Sequence, residues 1–379
     1  MISLFEKIKF KIKYYFPHKE YNQHFNENYR KAFRFLLEHP QPPLTEEEKR
    51  EIDSYWGEIG IKWPDYSWHQ MFYGVTGIHD PKFIPDPIVC FAIAPFYNDS
   101  NYVNGWDDKN MYERFLPDIL QAETLCHRFR GIFYDENWNS YGQNDMGALA
   151  SHIIERMQGD RSLVLKYSKN SGAGMGVKFK TINDKDDIIT IFKKEDQLDY
   201  IVQRLIRQHA WMEQFNKSSV NIFRINTWKH GGKVTILSTS VRYGIEGSFT
   251  DVAYLKGVEV VNVAGVDSDG RLNGHFANIN GMTERPPQVI EDIVPNYEEL
   301  IAFVIRAHLY LQPFDYIGWD ITLNQDCQPL FIEYNLRWPG SILYQFVQGP
   351  LAGILTDLFL SFLKDINNRN KYIPKRYLL

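Results

Sequence analysis

Two short strand-like segments near the end of the chain place three oxygen-bearing side chains close together. The pattern predicts strands over 319–323 and 329–334, joined by a polar turn. On paired strands Asp320 and Glu333 can lie side by side, and Asn335 points to the same face as Glu333 because it follows two residues later. Two carboxylates and an amide oxygen are a hard donor set that suits Mg²⁺ beside nucleotide phosphates. The alternative is an ordinary hairpin with solvated carboxylates.

A lysine followed by a glycine-rich segment is the second unusual feature. A strand predicted over 163–167 contains Lys166, and lysine is rare in a buried strand unless its charge has a partner. Gly172, Gly174 and Gly176 follow in alternation, so backbone N–H groups there can approach and surround phosphate oxygens. The chain then returns as a strand, which matches neither a Walker A loop nor a Rossmann fingerprint. The segment predicts a flexible lid over a nucleotide, whereas a plain glycine hairpin would leave Lys166 unexplained.

Composition narrows the class of protein. The chain has 379 residues, of which 44% are hydrophobic and 23% charged, and its net charge of −5 argues against a nucleic-acid-binding surface. Aromatic residues reach 15%, enough to fill a core and to line clefts for flat or sugar-like ligands. The three cysteines are far apart and have no metal-type spacing. No apolar run approaches transmembrane length and no signal peptide is visible, so we predict a cytoplasmic protein.

Residues 1–16 form an amphipathic basic helix on a helical wheel. Lysines surround an apolar stripe, which consists of Leu4, Phe5, Ile8, Ile12, Tyr15 and Phe16. Such a helix can bind the anionic inner face of a membrane, which would make the protein peripheral there. The alternative is a helix that docks on the protein's own body.

The rest of the chain predicts a mixture of helices and strands. Helices are expected over 21–37, from a capping-type start at Thr45, and over 296–311. The apolar run 88–93 predicts a buried strand. Strand-like runs recur from residue 218 onward, and Asp251 is expected on a turn that connects two of them.

The order of these features resembles the ATP-grasp superfamily. A strand lysine precedes a glycine-rich hairpin, a later strand can hold adenine, and Glu333 follows Asp320 by 13 positions (333 − 320) with Asn335 two further on. Pro339-Gly-Ser resembles the D-alanine–D-alanine ligase branch. From about Phe83 onward the chain is most similar to the sugar-transfer-associated ATP-grasp proteins of bacterial polysaccharide loci. That similarity is carried by Phe83-Ile-Pro-Asp, Asp108-Lys109, Gly131-Ile-Phe-Tyr-Asp135, Gln208-His209, Ser219-Val-Asn-Ile-Phe-Arg224 and Arg242-Tyr-Gly.

The resemblance implies an α/β (α+β) protein with the ATP-grasp fold. Residues 1–140 would form an N-terminal helical and α/β region. Residues 150–206 would form a small lid, and residues 207–379 an antiparallel C-terminal catalytic domain.

The resemblance also implies roles for individual residues, with ATP and two Mg²⁺ ions as cofactors. The nucleotide would be bound by Lys109, Lys166, Ser171, Gly172, Gly174, Gly176, Gln203, Leu205 and Ile206. The first two of these would hold phosphates, the serine and glycines would close over them, and the last three would contact adenine. The metal ions would be bound by Asp320, Glu333 and Asn335.

The chain departs from the family pattern in two places. Gln203 stands where a glutamate is usual, so the adenine contact is altered. Gly318 stands where the ligase branch has an arginine, so another cation must steady the transferring phosphate. The candidates for this catalytic role are Arg337, Arg242 and Arg224.

The implied activity is that of an ATP-dependent carboxylate–amine ligase that forms an amide through an acyl phosphate. The substrates would be a sugar carboxylate such as a uronic acid, together with an amine or amino acid, in bacterial surface polysaccharide biosynthesis. This chemistry needs cations and positioning rather than a dedicated nucleophile. Two alternatives remain open: a phosphotransferase of the same fold, and a non-catalytic nucleotide-binding scaffold.

Overall fold

The chain folds into two compact units in the computed structural model, which describes residues 16–169, 171, 174, 176–195, 198–255 and 258–379. Gly172 and residues 1–15 of the predicted basic helix lie outside the described residues. Unit 1 takes the chain up to Tyr97, together with Asn280–Thr283 and Arg337–Leu379. Unit 2 takes Asn98–Ile279 and Glu284–Leu336.

Unit 1 is mostly helical. Its helices and helical turns are Phe16–Glu38, Glu46–Glu58, Ser67–Thr76, Asp86–Tyr97, Ile342–Gln348, Gly353–Leu355, Thr356–Phe359, Ser361–Lys364, Ile366–Tyr372 and Lys375–Tyr377. Strands are numbered β1 to β14 along the chain, and unit 1 contains β12 (Gly281–Thr283). Thr45 caps the second helix as predicted, because its hydroxyl accepts from the N–H of Glu48 while the Glu48 carboxylate accepts from the N–H of Thr45.

The strand predicted over 88–93 is wrong, because this run is helical. Asp86–Ile88 is an α-helical turn that continues into a π-helical turn at Val89–Ile93. Pro87 lies in the first turn, where a missing N–H costs no hydrogen bond. A short apolar run fits a fully buried helix as well as a buried strand, and this one is buried throughout.

No single helix among the described residues is long and apolar enough to span a membrane. The helices Ile342–Gln348 and Gly353–Lys364, bent by 119° to one another, pass that test as a pair by length and composition alone. Buried core helices of ordinary proteins pass it too, and these two contribute Phe346, Phe359 and Leu363 to the buried interior.

Unit 2 contains a first antiparallel sheet in the strand order β3-β2-β1-β6-β4-β5. Its strands are β1 (Thr124–Phe129), β2 (Ile132–Tyr134), β3 (Ser140–Tyr141), β4 (Ser162–Tyr167), β5 (Val177–Thr181) and β6 (Tyr200–Arg204). The helices Met146–Met157 and Lys185–Lys194 cover it and share one apolar core with its strands. The predicted lid, 150–206, supplies β4 to β6, whereas β1 to β3 come from earlier in the chain. The predicted domain boundaries stay a prediction.

A second antiparallel sheet of unit 2 has the strand order β11-β10-β8-β7-β13-β14, with β9 paired to β10. Its strands are β7 (Ile222–His230), β8 (Lys233–Tyr243), β9 (Val252–Leu255), β10 (Val258–Val266), β11 (Leu272–Asn278), β13 (Tyr316–Leu323) and β14 (Pro329–Asn335). The remaining helices of unit 2 are Ser100–Trp106, Lys109–Met111, Tyr112–Phe115, Gln143–Asp145, Ala210–Glu213 and Tyr297–Tyr310.

The two faces of the second sheet differ in polarity, because successive side chains of a strand point to opposite sides. One face packs against the helix Tyr297–Tyr310, where Phe303 and Val304 share a core with Trp319 and Ile321. The neighbouring positions on the same strands carry charged and amide side chains. The alternation within β13 therefore places Asp320 on the face opposite this core.

Candidate nucleotide and metal site

The hairpin of β13 and β14 holds the three predicted metal ligands in register. Asp320 is paired with Glu333, and Gly318 is paired with Asn335. The pairing shifts after Asp320, so that Ile321 lies opposite Phe331. The two carboxylates are therefore neighbours on one face, as the sequence pattern predicts.

Asp320 is held by an arginine of the adjacent strand. Arg224 of β7 lies opposite Asp320 of β13, and its Nε and Nη2 donate to the two carboxylate oxygens, with Nη2 at 3.0 Å from Oδ2. Both side chains are only 4% exposed. The amide nitrogen of Asn335 lies 3.3 Å from Asp320 Oδ2. A carboxylate has about four lone-pair positions, so this fork leaves room for a cation on Asp320.

Glu333 is held by a lysine from a different element. Lys109 Nζ lies 3.2 Å from Glu333 Oε2. Burial acts to raise the pKa of Glu333, but the charge and hydrogen bond of Lys109, with the charges of Lys166 and Arg224, outweigh it and hold the pKa below its ordinary value. Glu333 is therefore a carboxylate anion ringed by cations.

The turn that carries Lys109 is fastened to the end of β4. The backbone N–H of Lys109 donates to the carbonyl of Ser168 over 2.9 Å. Asp108 caps the turn by accepting from the N–H of Asn110, and it also pairs with Lys169 at 3.1 Å. These contacts place Lys109 beside Lys166, although the two are far apart in sequence.

Lys166 carries its charge under unfavourable conditions. Desolvation in the cleft, opposed by the charge of Glu333 and assisted by that of Lys109, lowers the pKa of Lys166 to about 8. Two ammonium groups that share one carboxylate leave an excess of positive charge at this point. An anion such as a phosphate would compensate it.

A narrow cleft of about 80 Å³ joins these groups to an apolar slot. The slot is lined by Val164, Val177, Phe179, Leu205, Ile206, Val220, Ile222 and Ile332. The polar end is lined by Lys109, Lys166, Ser171, Gly174, Thr250, Asp251 and Glu333. An apolar slot that ends in convergent cations has the chemistry of a site for a flat base joined to phosphates, but its volume is below that of a nucleotide-sized pocket, so the cleft must open to admit ATP.

Described residues of the predicted lid approach the loop that follows β8 at two points beside this cleft. Phe179 of β5 stacks on Phe249, with ring centroids 4.8 Å apart. Gly174, at φ +74°, approaches Thr250 so closely that a Cβ there would lie 3.0 Å from its hydroxyl oxygen. A side chain at position 174 would therefore push the lid away from Thr250.

The other predicted lid and adenine residues lie as follows. Gly176, at φ +77°, packs against the Tyr167 ring, where a Cβ would collide, and Ser171 Oγ donates to the carbonyl of Tyr167 over 2.9 Å. Gln203 is buried on β6, and its amide donates to the carbonyl of Ala122 at 3.2 Å. A glutamate carboxylate could not donate there, which gives the departure at this position a local reason.

The three arginines predicted to act in catalysis lie in different places. Arg224 donates two hydrogen bonds to Asp320. Arg242 pairs with Asp251, with Nη2 2.6 Å from Oδ2. Arg337 belongs to the segment of unit 1 that begins with it. The catalytic role of each stays a prediction.

Asp251 is a cleft residue that the sequence pattern placed only on a connecting turn. Burial, with the charges of Asp320 and Glu333, raises the pKa of Asp251 to about 6 against the opposing charges of Arg242 and Arg224. No spacing rule connects Asp251 to the hairpin ligands. Only the path of the loop before β9 brings it to the cleft.

The residues present fit ATP and Mg²⁺. Lys109 and Lys166 form a cationic end with more positive charge than Glu333 balances, which suits phosphates. Asp320, Glu333 and Asn335 supply only hard oxygen donors, the chemistry that Mg²⁺ takes.

The solved structures that the chain matches are distant from it. D-alanyl-alanine synthetase A from Vibrio cholerae is 14% identical with a TM-score of 0.40, and the match covers 76% of this chain and 68% of that protein. VanG D-Ala:D-Ser ligase from Enterococcus faecalis is 10% identical with a TM-score of 0.41, and the match covers 70% of this chain and 62% of that protein. N5-carboxyaminoimidazole synthase from Aspergillus clavatus is 10% identical with a TM-score of 0.36, and the match covers 63% of this chain and 46% of that protein. This chain thus spans under half of the Aspergillus protein.

A family model gives the firmer result. No curated protein sequence matches the chain. The model described as sugar-transfer associated ATP-grasp matches residues 94–356, which is more than half of the chain. The match confirms the family resemblance drawn from Lys166, the glycine-rich segment and the β13–β14 hairpin. The chain belongs to the sugar-transfer associated ATP-grasp family and has the ATP-grasp fold.

Proposed function

We propose that this protein is an ATP-dependent ligase that joins a carboxylate to an amine. One observation carries the proposal: the cleft of unit 2 joins an apolar slot to Lys109 and Lys166, with Glu333 beside them. A base in the slot would direct its phosphates toward the two lysines, and the γ-phosphate would lie near the hairpin carboxylates.

The proposed reaction has two steps. An oxygen of the substrate carboxylate attacks the γ-phosphorus of ATP, so that an acyl phosphate forms and ADP leaves. The amine then attacks the acyl carbon, phosphate leaves, and the amine gives up a proton as the amide forms. Neither step needs a protein nucleophile, since positioning and charge neutralisation lower both barriers.

The residues around the cleft would divide this work. Lys109 and Lys166 would hold phosphate oxygens, and the lid residues Ser171 and Gly174 would cover them. Mg²⁺ held by the hairpin oxygens would neutralise charge on the β- and γ-phosphates. Arg224 orients Asp320 through its two-point contact.

The substrates belong to the same proposal. A sugar carboxylate such as a uronic acid, joined to an amine or amino acid for a bacterial surface polysaccharide, agrees with the sugar-transfer association of the family. We also propose two bound Mg²⁺ ions and action in the cytoplasm, with small-molecule or glycan substrates as the partners.

A screen for ADP release tests the proposal. Purified protein with ATP and Mg²⁺ is offered uronic acids, nucleotide-linked uronates and amino acids, each with and without a set of amines. ADP release that requires both a carboxylate and an amine, with an amide detected by mass spectrometry, supports the ligase. ADP release that requires a single acceptor and yields a stable phosphorylated product would replace the ligase by a phosphotransferase. ATP binding with no ADP release from any pair would leave a nucleotide-binding scaffold.

A further inference from the structure

Unit 1 contains a second pocket, separate in residues from the nucleotide cleft. Its volume is about 390 Å³, within the range of small-ligand sites. The helix Phe16–Glu38 forms one wall, and Phe91 and Trp338 form the other. None of the residues that line it takes part in the proposed nucleotide site.

Trp338 gives this pocket an open aromatic surface. The side chain is 56% exposed, which is unusual for the largest apolar residue. Its ring meets Phe91 edge to face, with centroids 5.4 Å apart and planes at 76°. The electron-rich face of an indole attracts the C–H groups of a sugar ring, which carry partial positive charge.

The buried carboxylate of Asp86 binds two residues of the helix Phe16–Glu38 that line the pocket. Asp86 accepts from Lys31 Nζ at 3.2 Å, Asn28 Nδ2 at 3.0 Å and Ser341 Oγ at 2.6 Å. Burial acts to raise the pKa of Asp86, but the Lys31 charge and the two other hydrogen bonds outweigh it and lower the pKa. Asp86 is thus fully paired and sets the positions of Lys31 and Asn28.

Asn28 keeps one atom without a partner. Its Nδ2 is used on Asp86, while its Oδ1 is buried and has no donor among the described residues. The residue is 8% exposed and lines the pocket. A buried acceptor without a donor needs an explanation, and the hydroxyl of a ligand would supply the donor once the Asn28 amide turns toward the pocket, since Oδ1 is closed to solvent in this structure.

Among the described residues that face the pocket, one cation has no carboxylate partner. Lys31 is balanced by Asp86, and His24 lies 3.6 Å from Glu27. Arg34 lines the same wall and has no carboxylate within 4.0 Å among the described residues. Its guanidinium can take a carboxylate or a phosphate through two parallel hydrogen bonds.

We infer that this pocket binds an acidic sugar. The ring lies on Trp338, a hydroxyl donates to Asn28 Oδ1, and the carboxylate or phosphate of the sugar pairs with Arg34. Trp338 follows the proposed metal ligand Asn335 by three residues in the chain. The assignment of this sugar as the substrate of the ligase rests on the proposed function, whereas its binding does not.

Binding without ATP separates the two claims. The full-length protein is titrated by calorimetry with glucuronate, glucose 1-phosphate and, as the neutral control, glucose. We expect saturable binding of an acidic sugar with a Kd on the order of 1 mM and at least about tenfold weaker binding of glucose. The two acidic sugars distinguish a carboxylate ligand from a phosphate ligand.

Two variants locate the site. Trp338→Ala should weaken acidic-sugar binding about tenfold or more, while Phe33→Ala, at an exposed aromatic of the helix Phe16–Glu38 outside the pocket, should not. Arg34→Gln should remove the preference for acidic over neutral sugar, while Arg50→Gln, at an exposed arginine of another helix, should keep it. Circular dichroism checks that each variant is folded.

Two outcomes would overturn the inference. One is no saturation by either acidic sugar at about 10 mM. The other is unchanged binding in both Trp338→Ala and Arg34→Gln. ATP binding is measured on the same samples, so that its absence would count against the proposed function and leave the sugar result to be judged alone.

Discussion

The nucleotide cleft of unit 2 and the Trp338 pocket of unit 1 each join a lysine to a carboxylate at 3.2 Å, yet the two pairs differ in what else the carboxylate binds. Asp86 receives two further hydrogen bonds, and its side chain is 6% exposed. Glu333 is 26% exposed, and among the described residues its ion pair within 4.0 Å is the one with Lys109. A carboxylate with all its partners inside the protein is a fixed structural charge. Glu333 can exchange its partner, which is what a ligand of a reacting complex must do.

The largest effect should come from Glu333. Glu333→Gln keeps the shape but removes the charge that would hold metal, so we expect turnover to fall about a thousandfold or more, with a smaller loss of ATP affinity. Asp326→Asn is the matched control, because Asp326 is exposed in the turn of the same hairpin. ADP release and ATP binding are measured on both proteins. Full activity of Glu333→Gln, or equal damage from Asp326→Asn, would refute the metal assignment and the ligase with it.

Lys166→Ala should come next. Removing a charged hydrogen bond to phosphate should weaken ATP binding roughly tenfold to a hundredfold, without lowering the melting temperature, because the fold disfavours this charge already. Lys180→Ala, at an exposed position on β5 of the same sheet, should leave both quantities unchanged. A lower melting temperature with unaltered ATP affinity would make Lys166 a structural residue.

Asp86→Asn should lower stability and leave ATP affinity unchanged, the reverse of Lys166→Ala. The substitution does not touch the nucleotide cleft, so ATP affinity should be unchanged. It removes the negative charge that pairs with Lys31, so we expect the free energy of unfolding to fall by about 1–3 kcal/mol. Asp357→Asn breaks the exposed pair with Lys82 and should cost about 1 kcal/mol or less. Urea denaturation measures both. Equal losses from the two variants would show that the contrast between fixed and exchangeable carboxylates is wrong.

The last predicted effect is a loss of stability in acid, which should appear in both units. Burial lowers the pKa of His69 in unit 1 and of His308 in unit 2 to about 4. The unfolded chain, with histidine near pKa 6.5, binds more protons between pH 4 and pH 6.5, so stability is full above about pH 6.5 and falls as the pH drops through this window. Urea midpoints measured at pH 7 and pH 5 should differ less in His69→Gln and in His308→Gln than in the parent. A parent midpoint that does not change between these pH values would contradict the prediction.

Local patterns predicted the elements around the cleft well. The strand expected over 163–167 is Ser162–Tyr167, and the helix expected over 296–311 is Tyr297–Tyr310. The hairpin carboxylates were predicted to be neighbours because the pairing of a short hairpin follows from its turn. Each of these depends on residues close together in the sequence.

Contacts between distant segments could not be predicted in the same way. Arg224 contacts Asp320 because β7 pairs with β13, and Asp251 reaches the cleft through a loop. Neither contact can be predicted from the spacing of these residues in the sequence. The pairing of Lys31 with Asp86 depends likewise on how two helices pack. The run 88–93 was misassigned because a short apolar stretch has no period of its own. The membrane contact of residues 1–16 stays a prediction.

The stack of Phe179 on Phe249, two side chains that line the cleft, has a consequence for binding at the proposed nucleotide site. ATP enters only those molecules in which the two rings have separated, so the measured Kd equals the intrinsic Kd divided by the open fraction. The same opening lets ADP leave, and in many enzymes with lids this step rather than bond making sets kcat. The Phe249 side chain would then limit the rate of nucleotide exchange. Its truncation would speed this exchange while every phosphate-binding group stayed in place.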